Sequence, residues 1–290
     1  MRRGAFAEAW KISDADLAAR TGKPCWHLPR HVQYIWNGAS LEGKRVLVRC
    51  YHGLGDTIQF IRFAPLLKEI AHDVIVWAQP PLLPLLKTVT GIDELFPLHD
   101  GTPEVAYDVD VEVMELPHIF RTTIETIPSE FPYLHVAPLP LTSNKEKLSV
   151  GLVWKAGDWD ERRSMPFSFF LPLANVPGVD FFILQADAKE AGWQESFGIN
   201  PGAFSLYDYA RVIKGLDLLI SIDSMPVHLA GTLNVPVWNL LHAEADWRWM
   251  DHRTDSPWYP TMRIFRQEQA GDWAGVIARV IIELNKLVGS

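Results

Sequence analysis

Two doubly wound α/β units in tandem are what this sequence predicts, and three observations predict them. Short apolar runs alternate with amphipathic segments over residues 45–98, the links between them are short, and the same alternation restarts at residue 148. Apolar runs of five or six residues suit strands buried on both faces of a parallel sheet, and the intervening helices supply the crossovers such a sheet needs. A chain of 290 residues, 48% of them hydrophobic, is long enough for two cores of this kind. The expected division is an irregular or helical lead-in over 1–43, an N-terminal domain over 44–146 and a C-terminal domain over 147–290. The polar stretch LTSNKEK (141–147) is the linker candidate.

In order, Phe6 to Ala19 reads as a short helix, with Ser13 or Asp14 able to cap its second half. Pro24 to Gly43 carries Trp26, Tyr34 and Trp36 among turn residues and is expected to pack those aromatics on the first sheet. RVLVRC from Arg45 is a strand, and YHGLGD is a glycine-bearing turn. TIQFIRFAPLLKEI is a helix with an apolar stripe of Ile58, Ile61, Phe63, Leu66 and Leu67. DVIVWAQ (73–79) is the next strand, LLPLLKTV a helix opened by Pro80-Pro81 and broken by Gly91, and ELFPL a short strand. YDVDVEV and FPYLHVAPLPL are expected as strands and edges that close the domain.

The second half begins with a strand, LSVGLVW (148–154), then a long polar loop, KAGDWDERRSMP, and a helix, FSFFLPLANV. DFFILQ (180–185) is a strand and YDYARVIKG (207–215) a helix. Leu216 to Ile222 is an apolar strand ending at Asp223-Ser224, two side chains that can cap a helix, and Pro226 sits where a first-turn proline is tolerated. Val227 to Leu233 is a short helix that Asn234 can stop, and Val235 to Leu241 is another strand. An aromatic loop follows, then MRIFRQ as a final strand and GDWAGVIARVIIELNKLV as a terminal amphipathic helix.

A helix that starts at the carboxyl end of a parallel strand presents free N–H groups and a positive dipole end, which suits a pyrophosphate. His228 falls on the first turns of such a helix. An ordinary βαβ unit with a core-facing histidine accounts for the same residues. HGLGD (52–56) places Gly53 and Gly55 where a dinucleotide fingerprint has its first two glycines. Its third place holds Ile58, and the next strand ends in Gln79-Pro80 with no acid for a ribose, so a nicotinamide enzyme has little support. Asp56 is either a helix cap or a general base. Asp108-Val109-Asp110 puts two carboxylates on one face of a strand, a pattern that can hold a divalent metal but arises readily among 35 acidic residues. Lys155, Arg162 and Arg163 lie in the loop after the first strand of the second half. They form either a solvated loop or a patch that neutralises a diphosphate. The aromatic loop from Trp247 to Tyr259 is either a packed lid or a surface that stacks on a base or sugar.

A net charge of -8 argues against a nucleic-acid partner. Cys25 and Cys50 have no metal-ligand spacing and are expected as buried, reduced thiols. The N-terminus has no long apolar stretch of a signal peptide, and no run is long enough to span a membrane, so a soluble, cytoplasmic protein is expected. GxSxG, P-loop and HExxH patterns are absent, which removes the common hydrolase and kinase readings.

GLGDTIQFIRFAPLLK, VGLVWKAG with RRSMPF, and SIDSMPVHLAGTLNVPVW followed by DWRWM, DSPWYP and RIFRQ resemble glycosyltransferase family 9. More closely, they resemble the heptosyltransferase-like catalytic regions often found behind tetratricopeptide repeats in bacteria. The resemblance covers about residues 36–285. It implies a GT-B architecture of two Rossmann-like domains facing across a cleft, with the terminal helix often returning to the first domain. It also implies inverting, metal-independent transfer from a nucleotide-diphospho-sugar such as ADP-heptose, with no other cofactor. The acceptor would be a glycan, lipid-linked or protein hydroxyl, and peripheral membrane association would fit work at the inner face of a bacterial membrane. By position, Asp56 would be the base, with His52, Gly53, Gly55 and Gln59 on the acceptor side. Lys155, Arg162, Arg163, Gln185, Asp223, Ser224, Met225 and His228 would form the donor side. Met225-Pro226 departs from the small, glycine-containing turn of the heptosyltransferases, which removes an amide donor at Pro226. Other readings left open are a sugar-nucleotide-binding module without turnover and a metal-dependent transferase using Asp108 and Asp110.

Overall fold

Two parallel sheets organise the chain. In the first, β1 (Arg45–Arg49), β2 (Asp73–Ala78), β3 (Glu94–Pro97) and β4 (Val109–Glu112) pair in the order β3-β2-β1-β4, every pairing parallel. In the second, β5 (Leu148–Val153), β6 (Val179–Ile183), β7 (Leu218–Ile222), β8 (Val237–Leu241) and β9 (Met262–Arg266) pair in the order β6-β5-β7-β8-β9, again all parallel. The computed structural model describes residues 1–141, 146–195 and 197–289. The first sheet belongs to a unit that ends at His135, and the second to a unit that starts at Val136. Of the polar stretch 141–147, residues 142–145 lie outside the described residues.

The N-terminal unit departs from the expected elements where prolines stand. The helix expected over 57–70 is three pieces: α2 (Leu54–Phe60), a 3-10 turn over Ile61–Phe63 and α3 (Ala64–Ile70). Pro65 has no N–H and its ring crowds the carbonyl four residues back, so an unbroken α-helix cannot pass through it. The apolar stripe survives the break: Ile58, Ile61, Phe63 and Leu67 are all fully buried. The helix after Pro80 likewise shrinks to a 3-10 turn over Pro80–Leu82 and α4 (Leu83–Leu86). FPYLHVAPLPL forms no strand among the described residues, in keeping with three prolines that cannot donate to a ladder. The lead-in contains α1 (Phe6–Arg20), one unbroken helix; Asp14 does not cap within it but pairs with His118 and Arg121. Trp10 stacks on His118 and Trp36 meets it edge-on, so these aromatics pack on α5 (Leu116–Ile119) rather than on the sheet. Trp26 and Tyr34 remain exposed, and Cys25 is only half-buried, whereas Cys50 is fully buried.

In the C-terminal unit, β7 and β8 are buried at every residue, as a double-sided parallel sheet requires. FSFFLPLANV is a 3-10 run over Phe167–Asn175 with Pro172 inside it, not an α-helix. Its Phe167, Phe170 and Leu173 share one core with Trp154 and Ile220 and with Val276, Val280 and Leu284 of the terminal helix α8 (Trp273–Val288). α6 (Leu206–Lys214) leads into β7, and α7 (Met225–Thr232) joins β7 to β8. Asn234 adopts φ 57 just past the end of α7, the left-handed conformation that terminates a helix and that asparagine tolerates.

Candidate functional site

Each sheet has a point where its strand order reverses, and ligands of open α/β sheets bind outside the carboxyl ends of strands at such points. In the first sheet, β1 leads to β2 on one side while β4 lies on the other. In the second, β6 and β7 flank β5 in the same way. The candidate residues gather at these two places.

In the C-terminal unit the reversal lies between the loop after β5 and the turn after β7. Arg163 spans it, its Nη1 donating to the Asp223 carbonyl at 3.2 Å. Arg162, its neighbour, turns elsewhere and binds Asp160 and Glu244. The structure thus separates two arginines that the sequence left interchangeable. Ser224 is the N-cap of α7 by position, but its hydroxyl makes no capping bond and donates back to the Ile222 carbonyl at 3.3 Å. Pro226 carries no N–H, and the Val227 amide is engaged by the Ser224 carbonyl. The amides of Ser224 and Met225 therefore have no partner among the described hydrogen bonds, and neither does the buried Nε of Arg163. The turn therefore carries two backbone N–H groups without a described partner and the positive end of a helix dipole, the arrangement that receives a phosphate group. Burial pushes the Asp223 carboxyl up to about 6, with the Trp249 indole, Arg248 and Arg163 pulling against it.

The remaining donor-side residues shape this site rather than open it. Gln185 spends its amide on the loops: its Oε1 accepts from the amides of Trp154 and Lys155, and its Nε2 donates to Asp187 and the Lys155 carbonyl. Lys155 lies 3.6 Å from Asp187. His228 is buried, stacked on Trp249 at 5.4 Å, with Nδ1 2.9 Å from the Tyr259 hydroxyl. Tyr259, Trp249 and Trp258 are fully buried, so the aromatic loop is packed structure and not a free stacking surface. The Tyr259 ring occupies the space beside Gly231, where a Cβ would come within 2.4 Å of it. Sequence spacing gave no signal for the His228–Tyr259 contact, because the partners lie 31 residues apart.

In the N-terminal unit, Asp56 is the third residue of α2 and reaches back to accept from the Gly53 amide at 3.0 Å, the return half of a capping box. It is half-buried at the reversal point. His52 Nδ1 lies 2.9 Å from Glu112, a buried carboxylate at the end of β4 that also accepts from the amides of Tyr51 and Met114. Gly55 lies within α2 and Gly53 is its N-cap. Gln59 is fully buried and its side-chain amide has no hydrogen-bond partner among the described residues, so it is enclosed by the unit and not presented to a ligand in this conformation.

Asp108 and Asp110 do not act together. Asp110 binds the buried Arg49 guanidinium at 2.7 Å, while Asp108 accepts from the Arg45 amide at 2.8 Å. Arg49 also donates to the hydroxyls of Tyr51 and Tyr107. Among the described residues no group of three or more His, Cys, Asp or Glu side chains is arranged to hold a metal ion.

The fold is that of the GT-B heptosyltransferases. A glycosyl transferase of family 9 from Veillonella parvula superposes with a TM-score of 0.63 at 15% identity, over 86% of this chain and 98% of that one. The ADP-heptose lipopolysaccharide heptosyltransferase II of E. coli gives 0.61 at 15% identity, over 84% and 98%. The E. coli heptosyltransferase WaaC, solved with ADP-2-deoxy-2-fluoro heptose, gives 0.55 at 12% identity, over 82% and 99%. No family model matches the chain. In sequence, the chain is similar to the protein FlbA of Caulobacter vibrioides, 26% identical over 332 aligned residues. That alignment takes in 99% of this chain and 54% of FlbA, so the chain spans about half the length of the curated relative it matches. Among the described residues no helix is long and apolar enough to cross a membrane.

Proposed function

We propose that this chain is a glycosyltransferase that moves a sugar from a nucleoside-diphosphate sugar to a hydroxyl acceptor, with inversion and without a metal. The observation that carries the reading is the turn after β7, where the amides of Ser224 and Met225 have no partner among the described hydrogen bonds at the start of α7 and the Arg163 guanidinium reaches the Asp223 carbonyl. Likeness of fold to heptosyltransferases supports it, including one solved with an ADP-heptose analogue.

The chemistry follows from charge. The acceptor hydroxyl gives its proton to Asp56, and its oxygen attacks the anomeric carbon from the side opposite the diphosphate. The bond from that carbon to the diphosphate oxygen breaks, and the nucleoside diphosphate leaves with the electron pair. A positioned general base contributes about 10²–10⁴-fold. The charge that develops on the leaving group is met by the α7 dipole, the two amides and the Arg163 guanidinium, and pre-oriented donors of this kind often supply the larger share of the rate. In this reading Arg163 takes the part that a divalent cation plays in other enzymes, and Asp110 is paired with Arg49. A glycan, lipid-linked or protein hydroxyl is the proposed acceptor class, and ADP-heptose is the first donor to try.

A thermal-shift panel of ADP, UDP, GDP, CMP and their sugars, run in chelator, tests the reading. A ligand at a hundred times its dissociation constant adds about 2.7 kcal/mol, several degrees for a chain of this size. One nucleoside diphosphate is expected to stand out, and its sugar to support transfer. Silence across the panel, with manganese as well as without, would remove the donor site. Binding without any transfer would leave a sugar-nucleotide-binding module.

A further inference from the structure

A hollow in the C-terminal unit has none of the residues of the turn after β7 in its lining. It lies outside the carboxyl ends of β8 and β9, has a volume of about 180 Å³, and is lined by Arg162, His242, Glu244, Gln267, Ala270 and Trp273 among others. It shares a 3-10 turn, Glu161–Arg163, with the candidate phosphate site: Arg162 lines the hollow while Arg163 reaches the Asp223 carbonyl.

Charge says what does not bind there. The Arg162 guanidinium already donates to Asp160 through two nitrogens and to Glu244 through a third. Its pairing holds the Asp160 carboxyl down at about 2. Burial keeps His242 below the ordinary imidazole value, so at neutral pH it adds no positive charge. No spare cation is left for a phosphate. The polar groups instead comprise a carboxylate acceptor (Glu244), a side-chain amide (Gln267, whose Oε1 already accepts from the Gly271 amide) and a neutral imidazole with one donor and one acceptor. Trp273 contributes an apolar wall. The volume is below the roughly 300 Å³ where pockets for drug-sized ligands begin, so it suits one ring and not a nucleoside. An uncharged ring with hydroxyls on its rim and C–H groups on its face matches these walls.

We propose that this hollow holds the sugar ring of the nucleotide-sugar donor, with Glu244 accepting from ring hydroxyls, Gln267 donating to another, and Trp273 packing on the C–H face. The proposal rests on the donor reading above and names the part of the donor that the hollow recognises. Glu244 and Gln267 are thereby specificity-determining residues, choosing among sugars by the hydroxyls they meet.

Isothermal titration of the full chain with ADP and ADP-heptose, and with UDP and UDP-glucose, tests it on two variants. Glu244→Gln changes an exposed side chain, and Ala270→Leu fills the hollow from an exposed position; unliganded melting temperatures of both check the fold. Each variant is expected to keep its affinity for the bare nucleotide within about twofold and to lose about tenfold or more for the sugar nucleotide, the scale of losing a hydrogen bond to a charged group. Equal losses for nucleotide and sugar nucleotide, or no loss in either variant, would overturn the sugar assignment while leaving the donor site standing. Failure of the unaltered chain to bind any of the four probes would instead remove the donor reading, and this assignment with it.

Discussion

β1 runs into α2 through Gly53 and Asp56, and β7 runs into α7 through Asp223 and Ser224. Both are strand–turn–helix junctions at the reversal point of a parallel sheet, and each carries one aspartate. In the first, the acid is the third residue of the helix and folds back onto the Gly53 amide. In the second, the acid precedes the N-cap, is buried, and leaves the amides of Ser224 and Met225 open. A shift of a few positions therefore turns an acid that closes a helix end into one that stands beneath an open helix end. The first junction keeps its carboxylate half-exposed, and the second keeps two N–H groups without a partner among the described hydrogen bonds.

Five substitutions, in four tests, break or sharpen that contrast. The largest effect is expected from Asp56→Asn, which should lower turnover by about 10²–10⁴-fold while the nucleoside diphosphate binds as before; near-normal turnover would place the base elsewhere. Next is Asp223→Asn, read as stability against pH. Burial pushes the folded carboxyl from the ordinary 3.8 up to about 6, so its ionisation opposes folding as pH rises through that window. The protein should lose stability relative to the variant between about pH 4 and pH 7, by on the order of 3 kcal/mol, with a constant difference outside that window. A flat difference in urea denaturation across the window would show that Asp223 is not desolvated. Third, Arg163→Ala should weaken nucleoside diphosphate binding by about tenfold or more, whereas Arg162→Ala should change it by about threefold or less, since Arg162 is engaged by two carboxylates. Equal effects by calorimetry would put both arginines on the diphosphate. The smallest change is expected from Pro226→Ala, which restores an amide to the first turn of α7 and should tighten inorganic pyrophosphate binding by no more than about threefold; a loss of binding would mean that the proline ring shapes the turn.

The residues of β7, α7 and β8 were legible because local rules agree there: an apolar strand, a first-turn proline and an asparagine at the end, although the expected cap at Asp223-Ser224 makes no side-chain capping bond. The N-terminal helix over 57–70 was legible in its apolar stripe but not in its continuity, because Pro65 outweighs the periodicity around it. Arg162 and Arg163 were indistinguishable in sequence, since adjacent side chains on a loop diverge according to partners 60 and 82 residues away. The aromatic loop had two readings that only burial separates, and Trp249, Trp258 and Tyr259 are inside.

The sequence by itself determined the two parallel sheets, their order of elements and the turn where an anion can bind. These depend on periodicity, capping and glycine or proline placement, all of which act within a few residues. Tertiary structure alone decided that Arg163 and not Arg162 meets the Asp223 carbonyl, that Asp110 serves Arg49, that Tyr259 sits against His228, and that a ring-sized hollow opens beside Glu244. Each of these is a meeting of groups that lie 31 to 82 residues apart in the chain. Such meetings are set by sheet order and by which groups must be satisfied on burial, and neither is written in the spacing of one segment.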